Sequence, residues 1–569
     1  MNHRTRTILT FTLLGTLMGA ATAPPSARAA QTVGLFLNDS TRASAGYTLF
    51  APVRSTTTYL IDMHGLLVHS WPGPVTPGLS AYLLEDGHLF RAGNAGNTTF
   101  TAGGAGGRVQ EIDWDGTLLW NYTYSNALHL QHHDAMRLPN GHALLIAWEL
   151  KTQSEATSAG RNPAYVNSAG LWPDHLIEVA PLGATGGIIV WEWHVWDHLI
   201  QNFDSVKPNF GVVADHPELI DLNFVKAGPN ATATDWNHTN GIDYNAELDQ
   251  IVLSIHGWNE VWIIDHATTA AEAAGHTGGR QGHGGDLLYR WGNPRAYQRG
   301  ATVDQRLFGQ HNVQWLRAGL PGAGHLLVFN NGTTRNWSSV DEFVPPVDAT
   351  GAYALVPGSA YGPPATIWTY AATPSANFYA QNIGGAQRLV NGNTLVCDGP
   401  HGNFFEVAPD SAIVWNYVNP VIASGPMTQG DVIPVSNGSF ENSAFRSPRY
   451  APDYPGLAGH DLSPHGTLEI VPLLSVREEG TGSGVALESS APAPFVNRAR
   501  LRFALATAAS VSLTLHDIEG RVVRVLARGA FVAGRHDVIL DAASLAPGIY
   551  FVSLATPRGA AVRKVVRLR

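Results

Sequence analysis

Apolar and polar positions alternate along this chain in short runs that break at Gly, Asp-Gly and Asn-Gly, the signature of strands joined by tight turns. The clearest run is residues 235–256. A polar entry carrying His238 leads into Ile242 and Tyr244, a turn falls at Ala246–Asp249, and the apolar return strand Ile251–Ile255 ends at His256. A hairpin brings its two ends to one sheet edge, so His238 and His256 are expected side by side.

Related units recur from about residue 45 onward. Tyr59–Asp62 and Gly65–Trp71 precede a hairpin turning at Asp86-Gly87, and Val109–Asp113 with Asp115–Trp120 precede one over His132–Ile146. Leu176–Val179 and Ile188–Trp191 lead to the hairpin of residues 235–256, and Val261–Asp265 and Leu287–Trp291 to His311–Phe329. Ile367–Tyr370 precedes Gln387–Val396, while Phe404–Val407 and Ile413–Tyr417 precede strands near Phe445–Tyr450 and Leu468–Val471. Six such units, each of about four short strands, predict one six-bladed β-propeller in an all-β chain. Closing the ring requires strands from both ends in one blade, and Tyr47–Phe50 with Leu468–Val471 are the expected pair.

Composition agrees. Glycine (60), proline (35) and tryptophan (16) are abundant and only 14% of residues are charged, which fits many turns and short strands, not helical bundles or disorder. A net charge of −10 with no basic stripe excludes nucleic acid as a partner. Cys397 is the single cysteine, so no internal disulfide forms. At the N-terminus Arg4 and Arg6 precede an apolar run, Ile8–Met18, and then Ala27-Arg28-Ala29. That order predicts a secretory signal over residues 1–29 and an exported protein, periplasmic, cell-surface or extracellular. The propeller then takes residues 30–473.

A Gly/Ser/Pro-rich linker is expected at 474–493, followed at 494–569 by a small immunoglobulin-like β-sandwich with strands Ala499–Ala504, Val511–His516, Val522–Leu526, His536–Leu540, Ile549–Ala555 and Val562–Leu568. Asp517–Arg521, Ala533–His536, Leu545–Phe551 and the basic end Arg563, Lys564, Arg567 and Arg569 give this segment its character. It resembles the C-terminal sorting domain of type IX secretion cargo and the related FlgD-like modules. That resemblance implies secretion or cell-surface machinery as a partner.

In a propeller the innermost strands line one axis, so equivalent positions in successive blades converge. His133, His238 and His311 open successive inner hairpins, and the return strands end at His256, at Asn331 with Arg335 beyond it, and at His401. One mouth ringed by these seven residues is expected. His132 is assigned to packing, because adjacent strand residues point to opposite faces. Such a ring suits either a three-histidine metal site or a tetrahedral oxyanion, and Arg335 favours the anion, since a guanidinium repels a cation. Two further readings stay open beside oxyanion chemistry: a metal-dependent lyase or hydrolase on three histidines, and a secreted binding propeller without catalysis.

Taken together, Tyr59–Asp62, His132-His133-Asp134 with Leu138–Gly141, Asn237–Tyr244, Gly309–Gln314, Asn330–Gly332 with Arg335, and Gly385–Leu395 resemble the bacterial arylsulfate sulfotransferases. The resemblance implies transfer of a sulfuryl group from a phenolic sulfate ester to a phenol, ping-pong through a sulfated histidine, with neither metal nor cofactor. It implies His401 as the nucleophile, with His238, His311 and Arg335 binding the sulfate. His133, His256 and Asn331 line the substrate site, and Trp258, Trp337, Phe378 and Tyr379 are the expected cradle for the aromatic ring.

Overall fold

A computed structural model describes residues 31–224, 233–436, 438–471, 485–489, 495–518, 521–542, 545–557 and 559–568. The expected signal segment, residues 1–29, lies outside them. The chain divides into two compact units, one ending at Ile470 and one beginning at Val471.

Among the described residues the first unit is a ring of six antiparallel sheets. The second blade is Pro77–Leu83, Leu89–Asn94, Gly107–Ile112 and Leu118–Thr123, and the third is His129–Arg137, Ala143–Glu149, Asp174–Leu182 and Gly186–His194. Thr239–Asn245, Gln250–Ile255, Glu260–Asp265 and Tyr289–Trp291 form the fourth. His311–Trp315, Leu326–Asn330, Ser339–Phe343 and Trp368–Tyr370 form the fifth, and Gly385–Arg388, Thr394–Asp398, Asn403–Val407 and Ile413–Val418 the sixth. Each of these five blades therefore begins at an inner hairpin. The units read from sequence straddle two blades, joining the outer strands of one to the inner hairpin of the next. Period is visible in the residue pattern, but phase is set by which strands pair.

The first blade closes the ring. Its strands Tyr47–Phe50, Thr58–Ile61 and Leu67–Trp71 are joined on the inside by Arg449–Tyr450, with Thr48 opposite Arg449 and Tyr47 opposite Tyr450. This corrects the expectation for Leu468–Val471, which makes a single isolated bridge, Ile470 to Thr428. The reason is Arg449. Its buried guanidinium pairs with Glu406 of the sixth blade, donates to Thr48 Oγ1 at 3.1 Å and to Ser44 O at 3.2 Å, and lies 4.3 Å over Trp415. Glu406 also accepts from Ser44 N at 2.7 Å and Asn393 Nδ2 at 2.6 Å. A second overlap comes from Gly34–Asn38, which adds a fifth strand against Ile413–Val418.

Between blades the sheets meet through aromatic and branched side chains. Trp191, Trp193, Trp258 and Trp262 share one cluster between the third and fourth blades, and Trp291 stacks on Phe343 at 3.9 Å between the fourth and fifth. Phe50, Phe404, Trp415 and Tyr417 fill the seam between the sixth and first. Such aromatic pairs contribute about 0.5–1.5 kcal/mol each beyond the area they bury.

The second unit packs two sheets, Val485–Ser489, Arg498–Leu505 and Gly534–Asp541 against Val522–Phe531, Ala509–His516, Gly548–Thr556 and Gly559–Arg567, over a core including Leu501, Phe503, Leu513, Leu515, Leu540 and Leu554. Val485–Ser489, expected in the linker, is an edge strand, because its backbone pairs with Arg498–Leu505 along its whole length.

Glu406→Gln should leave the Arg449 guanidinium buried without its counter-charge and cost about 3–5 kcal/mol of propeller stability. Equilibrium unfolding in urea measures it; a loss below about 1 kcal/mol would mean that the clasp does not hold the ring closed.

Candidate active site

The inner strands of the third, fourth and fifth blades each begin irregularly. Ladder register shifts near residues 132–134, at Asn240 and between His311 and Gln314. His133, His238 and Asn312 adopt left-handed backbone, with φ of 52°, 54° and 50°. These bulges turn side chains that regular alternation would send into the sheet toward the channel axis. Gly104 makes the room: a Cβ there would lie about 2.0 Å from the His133 ring.

Four imidazoles follow one another in an arc. Ring centroids lie 4.5 Å apart for His133 and His238, 5.0 Å for His238 and His256, and 5.3 Å for His256 and His311. The hairpin expectation for His238 and His256 holds, with His256 N donating to His238 O at 3.3 Å. His133 and His311 lie deep, each 2% exposed, and Phe445 closes the arc from behind, 6.1 Å from one ring and 6.3 Å from the other. His238 and His256 are only partly buried and face the opening. His132 packs flat on Trp148 at 3.8 Å, as expected, yet its Nδ1 reaches His133 Nδ1 at 2.8 Å. The left-handed backbone of His133 is why these neighbours meet.

The Nδ1 partners distinguish the rings. Asn331 Nδ2 donates to Ala380 O at 2.8 Å and Ile383 O at 2.9 Å, which fixes its amide orientation. Asn331 Oδ1, 2.8 Å from His311 Nδ1, must then accept from an Nδ1–H, and the His311 lone pair sits on Nε2. Burial, and then the charge of Arg446, push His311 down to about 3, so the ring is neutral. Burial and then the neighbouring His238 hold His133 well below the ordinary imidazole range. His238 Nδ1 pairs instead with the Asp235 carboxylate.

Sequence reasoning missed Arg446 and Phe445. Arg446 is 6% exposed, lies 3.9 Å over the Phe445 ring, donates to Asn240 O at 3.2 Å and sits 3.8 Å from Asp134. It separates the arc from a cavity of about 1090 Å³ at the far end of the channel, whose lining includes Tyr82, Met136, Ile242, Gln314 and Gln387 but none of the four histidines. Its lining also includes Cys397, whose thiol burial pushes up to about 12. The two arginines of Arg446-Ser-Pro-Arg449 were a visible signal, since charge is sparse in this chain.

The sequence model of the arylsulfotransferase (ASST) family matches residues 82–422, more than half of the chain. The chain belongs to this family. It is accordingly an arylsulfotransferase, and residues 491–567 match the secretion system C-terminal sorting domain, which makes it an exported cell-surface or extracellular protein. No curated protein matches the chain. Among solved structures, a protein of unknown function from Bacteroides caccae is 12% identical, covering 66% of this chain and 94% of its own at a TM-score of 0.36. Virginiamycin B lyase from Staphylococcus aureus is 11% identical, with 70% and 87% covered and a TM-score of 0.31. Likenesses this weak carry no argument about the arylsulfotransferase chemistry.

Two of the expected site residues make their contacts with other groups. Arg335 turns back into its own loop, with Nε on Trp337 O at 3.0 Å, a terminal nitrogen on Ser339 Oγ at 2.6 Å, and its guanidinium 3.7 Å over Trp337. His401 ends the turn Gly399–His401 and contacts Asp398 Oδ1 at 2.7 Å and the Phe440 ring at 5.1 Å. Strand register explains its position. Asp398 opposite Asn403 corresponds to Ile255 opposite Glu260, so Gly399 stands where His256 stands and His401 where Trp258 does. Of the expected aromatic cradle, Trp258 and Phe378 are buried between blades and Trp337 carries Arg335.

These environments predict opposite titrations. The Asp398 hydrogen bond raises His401, while burial lowers His311. In histidine-labelled protein followed by NMR, His311 should stay neutral from pH 8 down to about pH 4 and His401 should titrate above its ordinary value of about 6.5. A His311 transition near 6.5 would remove the basis for its neutral, lone-pair-bearing form.

Proposed function

We propose that the histidine arc moves a sulfuryl group from an aryl sulfate ester to a phenolic acceptor through a sulfohistidine on His311. The carrying observation is the Asn331 amide, which accepts from Nδ1 and so places the lone pair of a neutral His311 on Nε2. His401, the nucleophile expected from sequence, instead lies beside Asp398 and Phe440.

The sulfate anion enters between the rim histidines toward the positive field of Arg446. His311 Nε2 forms a bond to sulfur as the bond from sulfur to the phenol oxygen breaks. The departing phenolate, whose conjugate acid has a pKa of about 10, takes a proton from His238, which Asp235 orients through Nδ1. His133 and His256 flank the sulfate oxygens. In the second half the acceptor phenol returns its proton to His238, its oxygen attacks sulfur, and the N–S bond breaks, so the two halves balance and the kinetics are ping-pong. The metal-dependent alternative has less support at the arc. Among the described residues, three metal-donor atoms within 4.8 Å of one another occur at His198–His276–Asp286 and Asp86–His88–Glu111.

His311→Ala, incubated with a chromogenic aryl sulfate, should form no sulfohistidine by mass spectrometry in alkali. His133→Ala or His256→Ala should slow turnover about 10²–10³-fold, as for other oxyanion contacts. His401→Ala should keep near-normal turnover, and a sulfated peptide containing His401 would defeat the assignment.

The sorting domain gives a second test. Deleting residues 491–569 should leave a folded, active propeller that the native host no longer delivers to its surface or medium. Correct delivery of the truncated protein would show that the terminal sandwich does not direct export.

A further inference from the structure

A second group of donor side chains lies away from the channel. His198 Nδ1 is 2.7 Å and His276 Nδ1 is 2.8 Å from the same oxygen, Asp286 Oδ1. All three potential ligand atoms fall within 4.8 Å of one another. The His198 side chain is fully buried and that of Asp286 is 7% exposed, whereas that of His276 is 58% exposed, so the group has a closed side and an open one.

Its surroundings orient it. His198 Nε2 faces Ala273 O at 2.9 Å, and because a carbonyl only accepts, Nε2 carries a proton and Nδ1 is the atom turned to the cluster. Backbone carbonyls fix metal-bound imidazoles in this way. Trp193 stacks on His198 at 5.6 Å and donates from Nε1 to Gly285 O at 2.6 Å. Gly285 must lack a Cβ, which would lie 2.0 Å from Ala273 O and 2.7 Å from His198 Nε2. The open side gives onto a cavity of about 670 Å³ walled by His216, Glu218, His276, His283 and Asp286.

We propose that His198, His276 and Asp286 bind one divalent transition ion of the zinc class, with water from the cavity completing its coordination. Two imidazoles and a carboxylate are a suitable donor set for such an ion, and the hard alkaline-earth cations prefer oxygen alone. The ion ties the turn that ends the third blade to the glycine-rich turn that enters the last strand of the fourth. The site shares no residue with the histidine arc and does not depend on the sulfuryl-transfer reading.

Full-length protein stripped with chelator and titrated with Co²⁺, then Zn²⁺, tests this. The expected result is uptake of one equivalent with the visible absorption of a low-coordinate cobalt site, displaced by zinc. His276→Ala, at an exposed position that leaves the core intact, and Asp286→Asn should each weaken binding at least about tenfold. His311→Ala should leave it unchanged. Absence of stoichiometric uptake overturns the proposal, as does uptake that survives His276→Ala and disappears in His311→Ala, which would place the ion at the channel mouth.

Discussion

The structure depends on closing a ring, and the closure rests on one buried charge pair. Arg449 and Glu406 are 1% and 0% exposed at the junction of the first and sixth blades. Burying two charges is expensive, and further hydrogen bonds offset part of the cost: Glu406 accepts from Ser44 N and Asn393 Nδ2, and Arg449 donates to Thr48 Oγ1 and Ser44 O. Its value lies in register: a one-residue slip of Arg449–Tyr450 would face the guanidinium away from Glu406.

The same closing segment builds the site. A few residues before Arg449 the chain crosses the channel, where Phe445 backs His133 and His311 and Arg446 reaches Asn240 and Asp134. Ring closure and assembly of the arc are thus coupled through residues 445–449. An open ring would lose the floor of the site, and with it the burial and the neighbouring Arg446 charge that keep His311 neutral, even with every histidine present.

Some of the backbone strain falls where the chemistry is. His133 and His238 hold left-handed backbone, which costs roughly 1–3 kcal/mol at a residue with a Cβ. That strain turns consecutive blades inward so that four rings meet within about van der Waals spacing. Once there, they differ by their second nitrogen: an amide for His311, a carboxylate for His238 and another imidazole for His133. One residue type supplies three roles because its partners differ.

The alternation of apolar residues and the turn dipeptides determined the fold class, the number of blades, the existence of a terminal sandwich and the meeting of His238 with His256, all of which are local or periodic properties. His133 and His311 were legible because repeats place equivalent residues on one axis. The structure alone decided the phase of the repeat, the closing strand and the membership of the arc. Pairing partners distant in sequence fix blade boundaries, and no local pattern encodes that Arg449 finds Glu406. His401 and Arg335 looked equivalent to His256 and Asn331 by their distance from a strand end. A turn of a few residues directs a side chain by its backbone angles, however, and those are settled by what packs against it: Asp398 and Phe440 for His401, Trp337 and Ser339 for Arg335.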